Sequence, residues 1–206
     1  MILGVGGDPP SAAALDQAVE MLARGWPIGL PTDTVYGLAG ALDVAGACDR
    51  IFAMKGRNRH VRLPVLVAGL DQARDLCHGV PSFASVLMDR FWPGALTVVL
   101  PARPGVAAAL GDDDATIGVR SPAHPVALAL CRMVGPLATT SANRHGRPPL
   151  TTAAEVAAVF GEALPMVLDG GTCAGDPSTV VDCTGSEPRL LRPGRLPWSE
   201  VVEALP

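Results

Sequence analysis

Apolar and polar residues follow helix-like and strand-like spacings in turn along almost the whole chain. The spacing of Leu15, Ala18, Val19 and Leu22 within residues 11–24 predicts an amphipathic helix. Short apolar runs, bounded by glycine and proline, predict strands between this helix and others like it. The alternation of the two patterns predicts an α/β fold.

The predicted elements run from residue 11 to residue 205. Predicted helices cover residues 11–24, 43–56, 124–135, 151–161 and 197–205, and two short helices are expected between residues 69 and 95. Predicted strands cover residues 26–31, 63–69, 95–101, 115–120, 136–143, 165–171, 178–184 and 188–194. The run GVGG at residues 4–7 is interpreted as a loose terminus. Because strands crowd the last third, we expect a twisted, mixed parallel and antiparallel sheet flanked by helices, in a single domain over residues 1–206.

Composition excludes several classes of protein. With 49% hydrophobic and 17% charged residues, the chain is not of the disordered class. A net charge of −4 argues against the phosphate backbone of a nucleic acid as the main partner. The five cysteines have no metal-binding spacing, which favours reduced, buried thiols in a cytosolic protein. Since neither a signal peptide nor a membrane-spanning run is found, we expect a cytoplasmic protein without a membrane contact.

Polar residues interrupt this pattern mainly at strand ends. The bend PTDTVYGL at residues 31–38 follows one strand, TTSAN at residues 139–143 ends another, Arg120 closes a third, and Ser178 opens a fourth. A single hydroxyl cluster of this kind usually forms a turn or a helix cap. Because ligands of open α/β sheets bind where strand ends and loops meet, several such clusters together predict one binding site.

A basic run, KGRNRHVRLP, occupies residues 55–64. We expect Arg59 and Arg62 to lie on a solvated face, as most charged runs do. Lys55 is different because it is the only lysine of the chain. A compact ammonium suits a phosphate oxygen, so Lys55 is a candidate phosphate ligand.

Motifs for nucleotide hydrolysis with a P-loop, for serine hydrolases and for zinc proteases are all missing from the sequence. The candidate residues offer hydroxyls, an amide, guanidinium groups and one ammonium. Such groups bind carboxylates and phosphates and provide little for covalent catalysis. They favour chemistry by positioning and electrostatics, as in transfer at phosphorus.

The sequence resembles the Sua5/YrdC/TsaC family, the threonylcarbamoyl-AMP synthases, in seven stretches that follow the family's order. They are PTDTVYGL, KGR at 55–57, FWPGALTVVL at 91–100, IGVRSPAHP at 117–125, TTSAN, DPSTVVD at 176–182 and LLRPG at 190–194. The resemblance implies that L-threonine, bicarbonate and ATP become threonylcarbamoyl-AMP and pyrophosphate. Threonine's amine would capture carbon dioxide, and the carbamate oxygen would attack the α-phosphorus. The t6A-forming machinery that modifies tRNA would accept the product.

The resemblance also assigns roles to residues of this chain. It implies that the threonine site consists of Thr34, Arg120, Ser141 and Ser178. It implies that Lys55 and Arg57 hold phosphates as catalytic groups, and that Thr116, Asn143, Thr151 and Arg192 add further ATP contacts. Magnesium is expected with ATP, with Asp33 and Asp182 as candidate ligands, although neither carboxylate is clearly dedicated to a metal.

Two features of the sequence depart from the family pattern. The loop NRHVRLP after KGR is longer than usual and places Leu63 where a lysine or asparagine is common, so any nucleotide contact there would use the backbone. The chain resembles the short form, without the extra domain of longer members.

One alternative function is an RNA-binding or ribosome-associated module without turnover, which the acidic charge and 4% aromatic content disfavour. The other is an enzyme that uses carbamoyl phosphate.

Overall fold

Ten strands pair into one sheet in the computed structural model, which describes residues 1–7, 9–56, 61–111, 115–144 and 146–205. The strands are β1 (Ile2–Gly4), β2 (Ile28–Leu30), β3 (Gly37–Ala41), β4 (Val65–Leu66), β5 (Leu96–Pro101), β6 (Thr116–Arg120), β7 (Leu137–Ser141), β8 (Val167–Asp169), β9 (Thr179–Asp182) and β10 (Arg189–Arg192). The helices are α1 (Ala12–Ala23), α2 (Ala47–Lys55), α3 (Leu70–Leu76), α4 (Ser82–Phe91), α5 (Val106–Ala109), α6 (Pro125–Val134), α7 (Ala153–Phe160) and α8 (Trp198–Glu203), with a 3₁₀ turn at Gly161–Ala163.

The sheet mixes parallel and antiparallel pairs, as predicted. Its strand order is β1-β8-β2-β3-β7-β4-β6-β5-β9-β10. The pairs β1–β8, β8–β2, β4–β6 and β5–β9 are parallel, and the other pairs are antiparallel. Strands far apart in sequence, such as β5 and β9, therefore become neighbours and bring their polar ends together.

A hydrophobic core lies on each face of the sheet. On the first face, Val65 and Val98 belong to a buried cluster that α2, α4 and α7 complete. On the second face, Leu30 and Leu137 pack with α1 and α6. Each fully buried leucine contributes about 1.5–3 kcal/mol to folding. The sheet residues of this second cluster lie on β2, β3, β4, β7 and β8, which leaves the second face of β5, β6 and β9 for another use.

Two strands were not predicted from the sequence. β1 pairs in parallel with β8, and the Val5 N–H donates to the Asp169 carbonyl at 3.0 Å, so the interpretation of GVGG as a loose terminus is wrong for Gly4 and Val5. β3 has the sequence GLAGA, which contains no β-branched or aromatic residue. Its small residues reflect close packing. A Cβ atom on Gly37 would lie 2.9 Å from Cγ2 of Thr139, and one on Gly40 would lie 3.3 Å from Cβ of Ala47 in α2.

Candidate active site

A cavity of about 430 Å³ occupies the second face of the sheet where β5, β6 and β9 meet β4 and β7. Side chains alternate in strands, so in β5 and β6 every second residue faces the cavity, whereas the end of β7 contributes three consecutive residues. The remaining positions, such as Val98 and Val119, belong to the core of the first face. Residues from the sheet that line the cavity are Gly37, Leu66, Thr97, Val99, Gly118, Arg120, Thr139, Thr140, Ser141, Val180 and Arg192.

The bend at residues 31–36 forms one wall of this cavity. The Thr32 hydroxyl accepts hydrogen bonds from the backbone N–H groups of Thr34 and Val35, at 3.2 Å each, and donates to the Val35 carbonyl at 2.6 Å. It also lies 3.0 Å from the Thr34 hydroxyl. The bend is therefore fixed by its own side chains. Its threonines are buried, and the Thr34 hydroxyl lies beside a guanidinium.

Tyr36, the tyrosine of this bend, is fully buried. Its hydroxyl donates to the Gly171 carbonyl at 2.9 Å and accepts from the Gly170 N–H at 3.4 Å. Burial raises the pKa of Tyr36 to about 12. The side chain belongs to the core of the first face, which is the usual role of a buried aromatic residue.

Arg120, at the end of β6, is 6% exposed and is held by three acceptors. Its Nε donates to the Gly94 carbonyl at 2.9 Å, Nη1 to the Thr34 hydroxyl at 2.8 Å and Nη2 to the Asp33 carboxylate at 2.6 Å. Burial lowers the pKa of the guanidinium, and Asp33 opposes that shift. The structure thus brings Thr34 and Arg120 into direct contact, and their role in threonine binding stays a prediction.

Ser178 also lines the cavity, lies just before β9 and is 6% exposed. Its hydroxyl is 2.8 Å from the hydroxyl of Thr97 on β5. Nη2 of Arg192 donates to the Ser178 hydroxyl at 3.2 Å and to its carbonyl at 2.8 Å. Arg192 and Ser178, placed in different subsites by the sequence, are thus in direct contact.

Lys55, the last residue of α2, is 4% exposed and reaches the end of β7. Its Nζ donates to the carbonyl of Ser141 at 2.7 Å, and to the carbonyl and side-chain oxygen of Asn143 at 2.8 and 2.5 Å. The Ser141 hydroxyl in turn donates to the same Asn143 side-chain oxygen at 2.6 Å. The ammonium therefore fixes the turn that carries Ser141 and Asn143.

Predictions were also made for Thr116, Thr151, Arg57, Arg59 and Arg62. Thr151 precedes α7, where its N–H and hydroxyl donate to the Glu155 carboxylate beside a capping box. The Thr116 hydroxyl accepts from Arg62, which lines the cavity. The expectation that Arg62 belongs to a solvated face is therefore wrong. Arg57 and Arg59 lie outside the described residues.

Asp33 and Asp182, the candidate metal ligands, are both engaged in hydrogen bonds. Asp182 accepts from the Thr184 N–H and hydroxyl and forms an ion pair with Arg189 at 2.9 Å. Among the described residues, no group of three or more histidine, cysteine or acidic side chains could hold a metal ion. None of the helices in the described residues combines the length and the apolar character that a membrane span requires.

Thr97 is the cavity residue that the sequence analysis missed. It is 5% exposed and lies in the apolar run Leu96–Pro101. One signal could have identified it: threonine is the polar exception in that run, at a position that alternates with the buried residues Leu96 and Val98. A hydroxyl on the cavity side of a buried strand needs a partner, and Ser178 provides it.

Comparisons with known proteins agree with this geometry. The family model Sua5/YciO/YrdC, described as telomere recombination, matches residues 20–194. A Bacillus subtilis threonylcarbamoyl-AMP synthase is 40% identical over 196 residues, which cover 92% of this chain and 55% of the relative. A Mycobacterium tuberculosis protein that carries the same name provisionally is 38% identical over 191 residues, covering 91% of this chain and 87% of the relative.

A crystal structure of Pyrococcus abyssi Sua5 complexed with L-threonine superimposes with a TM-score of 0.93 at 38% identity. The match covers 99% of this chain and 60% of that protein. The chain therefore spans between 55% and 60% of the Bacillus and Pyrococcus proteins and most of the Mycobacterium one. The family model and these relatives show that the chain belongs to the Sua5/YciO/YrdC family.

Proposed function

We propose that this protein is an L-threonylcarbamoyl-AMP synthase, a nucleotidyltransferase that forms threonylcarbamoyl-AMP and pyrophosphate from L-threonine, bicarbonate and ATP. The observation that carries the proposal is the contact between Arg120 and Thr34 in a cavity that Arg62 and Arg192 also line. One cavity thus combines a fixed, buried cation with further guanidinium groups. The names of the relatives and the threonine complex of P. abyssi Sua5 support the same substrates.

The part of the cavity around the buried Arg120 suits an amino acid. A guanidinium has five N–H donors, and the hydrogen bonds of Arg120 within the described chain use three of them. Asp33 and Gly94 already hold this side chain in place. The two remaining N–H groups therefore have fixed directions, and a carboxylate could accept hydrogen bonds from them. Hydroxyls of Thr34, Ser141 and Ser178 would bind the polar groups of threonine.

The remaining part of the cavity suits a triphosphate. Arg62 and Arg192 line the same cavity, and we propose that they, with Arg57 and with Lys55 behind Ser141 and Asn143, direct positive charge toward the phosphates. Thr116, Asn143 and Thr151 remain our candidates for other nucleotide contacts. Charge develops on the phosphate oxygens during the transfer, and fixed cations stabilise it without rearrangement. The threonine carbamate oxygen forms a bond to the α-phosphorus, and the bond to the leaving pyrophosphate breaks.

Magnesium would come with ATP in this proposal. The described carboxylates near the cavity offer little for a protein-held ion, since one oxygen of Asp33 accepts from Arg120 and from the Ala123 N–H. Magnesium commonly keeps water and phosphate ligands and few protein ligands, which fits such a site. The ion would neutralise phosphate charge there.

The setting of the enzyme follows from the same proposal. We propose one domain over residues 1–206, with the machinery that forms t6A in tRNA as acceptor of the adenylate. The five cysteines are buried and form no disulfide within the described part of the chain, which supports a reducing compartment such as the cytoplasm. No separate observation favours an RNA-binding module or a carbamoyl phosphate enzyme.

Pyrophosphate release from ATP tests the proposal, measured with and without L-threonine and bicarbonate. Release that requires both, with threonylcarbamoyl-AMP identified by mass spectrometry, is the expected result. Arg192→Gln should weaken the binding of ATP. Arg189→Gln is its matched control on the same strand, because the Arg189 side chain is 74% exposed and pairs with Asp182. Release without threonine, or equal effects of the two variants, would contradict the proposal.

A further inference from the structure

Gly118 is a glycine in the middle of β6 that neither packing nor backbone geometry explains. Its φ lies outside the left-handed region that favours glycine. A Cβ atom built on Gly118 would have its nearest neighbours at 3.4 Å (Cγ2 of Thr97), 3.7 Å (Cβ of Pro64) and 3.9 Å (Cγ2 of Val99). These are ordinary van der Waals distances, so the protein itself has room for a methyl group there.

The contrast with Gly37, another glycine of the cavity wall, makes this clear. A Cβ atom on Gly37 would lie 2.9 Å from Cγ2 of Thr139 and 3.3 Å from the Thr140 carbonyl. Packing of β3 against β7 therefore requires that glycine. Glycine inside a strand weakens it, and it commonly marks a place where a ligand approaches the backbone. Because packing does not require a glycine at residue 118, the approach of a ligand to the backbone is the reason that remains for Gly118.

The position of Gly118 indicates which ligand groups need the space. Thr116, Gly118 and Arg120 share one face of β6. Gly118 and Arg120 line the cavity, and Val99 of β5 is directly opposite Gly118. Consecutive strand residues rise by about 3.3 Å, which places Thr116 and Arg120 roughly 6.6 Å to either side. The proposed function assigns Arg120 to threonine and Thr116 to ATP. Gly118 therefore lies between the two substrates.

We infer that Gly118 keeps open the space in which the threonine carbamate and the α-phosphate of ATP meet. This inference rests on the proposed function. A methyl group at residue 118 would remove no binding group from either end of the cavity. It would displace the reacting atoms from each other, and a displacement of about 1 Å can lower the rate roughly 100-fold.

The test uses Gly118→Ala and the larger Gly118→Val, with Gly4→Ala as the control. Gly4 is also a strand glycine, in β1 at the far edge of the sheet, and a Cβ there would meet nothing within 4 Å. For each variant, kcat, the KM for threonine, the KM for ATP and the melting temperature are measured. We expect Gly118→Ala to keep its melting temperature and both KM values, to lose about 100-fold in kcat, and Gly118→Val to lose more.

Three results would overturn the inference. The first is an unchanged kcat in Gly118→Ala. The second is a higher KM for one substrate at constant kcat, which would place the space within that substrate's own subsite. The third is a lower melting temperature relative to Gly4→Ala, which would make the glycine structural.

A failure of the proposed function is distinguishable from a failure of the inference. If the unaltered protein releases no pyrophosphate with both substrates, the proposed function fails. Calorimetry with threonine and a non-hydrolysable ATP analogue then decides the inference. Joint binding in the unaltered protein that is lost in Gly118→Val supports it, and joint binding that persists, or that is missing from the start, overturns it.

Discussion

The carboxylate of Asp33 and the guanidinium of Arg120 form an ion pair at 2.6 Å, with side chains only 15% and 7% exposed. The same carboxylate oxygen accepts from the Ala123 N–H at 3.0 Å, and the Asp33 carbonyl accepts from Arg195 at 2.9 Å. Asp33 therefore connects the bend after β2 with the end of β6 and with the segment after β10. These contacts give Asp33 a positioning role for Arg120.

Asp33→Ala should lower the free energy of unfolding by about 3–5 kcal/mol, because it leaves a buried guanidinium without its counter-charge. Urea denaturation measures the loss. Asp33→Asn is the control, since its side-chain oxygen still accepts hydrogen bonds from Arg120 and Ala123. Because asparagine keeps the shape and this oxygen but removes the charge, Asp33→Asn should show a large part of the same loss. Unchanged stability in Asp33→Ala would show that the counter-charge does not hold Arg120.

Lys55→Met should affect both stability and turnover. The ammonium satisfies two buried carbonyls, of Ser141 and Asn143, and each unsatisfied group costs about 1–3 kcal/mol. The freed turn would also misplace the Ser141 hydroxyl, and we expect the barrier to turnover to rise by about 2–4 kcal/mol. Denaturation and pyrophosphate release are measured on the same preparation. A folded variant with an unchanged rate would remove Lys55 from the site.

Strand-end polarity was enough to predict much of the site. Thr34, Arg120 and Ser178 lie together because they come at the ends of β2, β6 and the start of β9, and the family resemblance added Arg192. The bond partners of Lys55 could not be predicted, because its acceptors at Ser141 and Asn143 are mainly backbone carbonyls. Such acceptors leave no trace in side-chain composition.

The missed elements have a common physical cause. β3 was not predicted because α2 and β7 pack so closely on it that Gly37 and Gly40 replace the usual strand residues. β1 consists of three residues whose stability comes from pairing with β8, a strand more than 160 residues away. Long-range packing decided both, and local propensity could not reveal it.

Thr97→Val should weaken threonine binding while ATP affinity stays the same. Valine matches the shape of threonine and removes the hydroxyl that orients Ser178. A neutral hydrogen bond contributes about 0.5–1.5 kcal/mol, so we expect a loss of roughly 2- to 12-fold. Calorimetric titration of each substrate measures it, and Thr97→Ser should keep near-normal affinity. Equal losses for threonine and ATP would contradict the assignment.

Alkaline pH should destabilise the protein through its buried thiols. Burial raises the pKa of Cys131 and of Cys183 from 9.0 to about 12. Between these values the unfolded chain loses thiol protons that the folded chain keeps. Stability is therefore fully present below pH 9 and falls as pH rises toward 12, by up to about 1.4 kcal/mol per pH unit for each thiol.

Urea denaturation at a series of pH values above and below 9 checks this dependence. Cys131→Ala removes one of the titrating groups, so its stability should fall less steeply with pH than that of the unaltered protein. A flat profile on the alkaline side, or an identical slope in Cys131→Ala, would show that the buried thiols do not control alkaline stability.

Gly194→Ala should disturb the part of the cavity that we assign to the nucleotide, although Gly194 itself does not line the cavity. A Cβ atom on Gly194 would lie 2.4 Å from the carbonyl carbon of Ser178 and 2.5 Å from the Pro177 carbonyl oxygen. Both contacts are with backbone, so the segment after β10 must move. Arg195 donates its N–H to Pro177 at 2.9 Å, and Arg192 bonds Ser178, so both contacts would loosen.

We therefore expect Gly194→Ala to lose about 1–3 kcal/mol of stability, as overpacked sites do, and to raise the KM for ATP. Gly185→Ala is the matched control. Gly185 lies in the turn between β9 and β10, its φ is ordinary, and its nearest Cβ contact would be 4.0 Å away. Denaturation and steady-state kinetics are run on both variants. If the two behave alike, the close contact of Gly194 with Ser178 has no part in holding Arg192, and the segment after β10 is not a wall of the site.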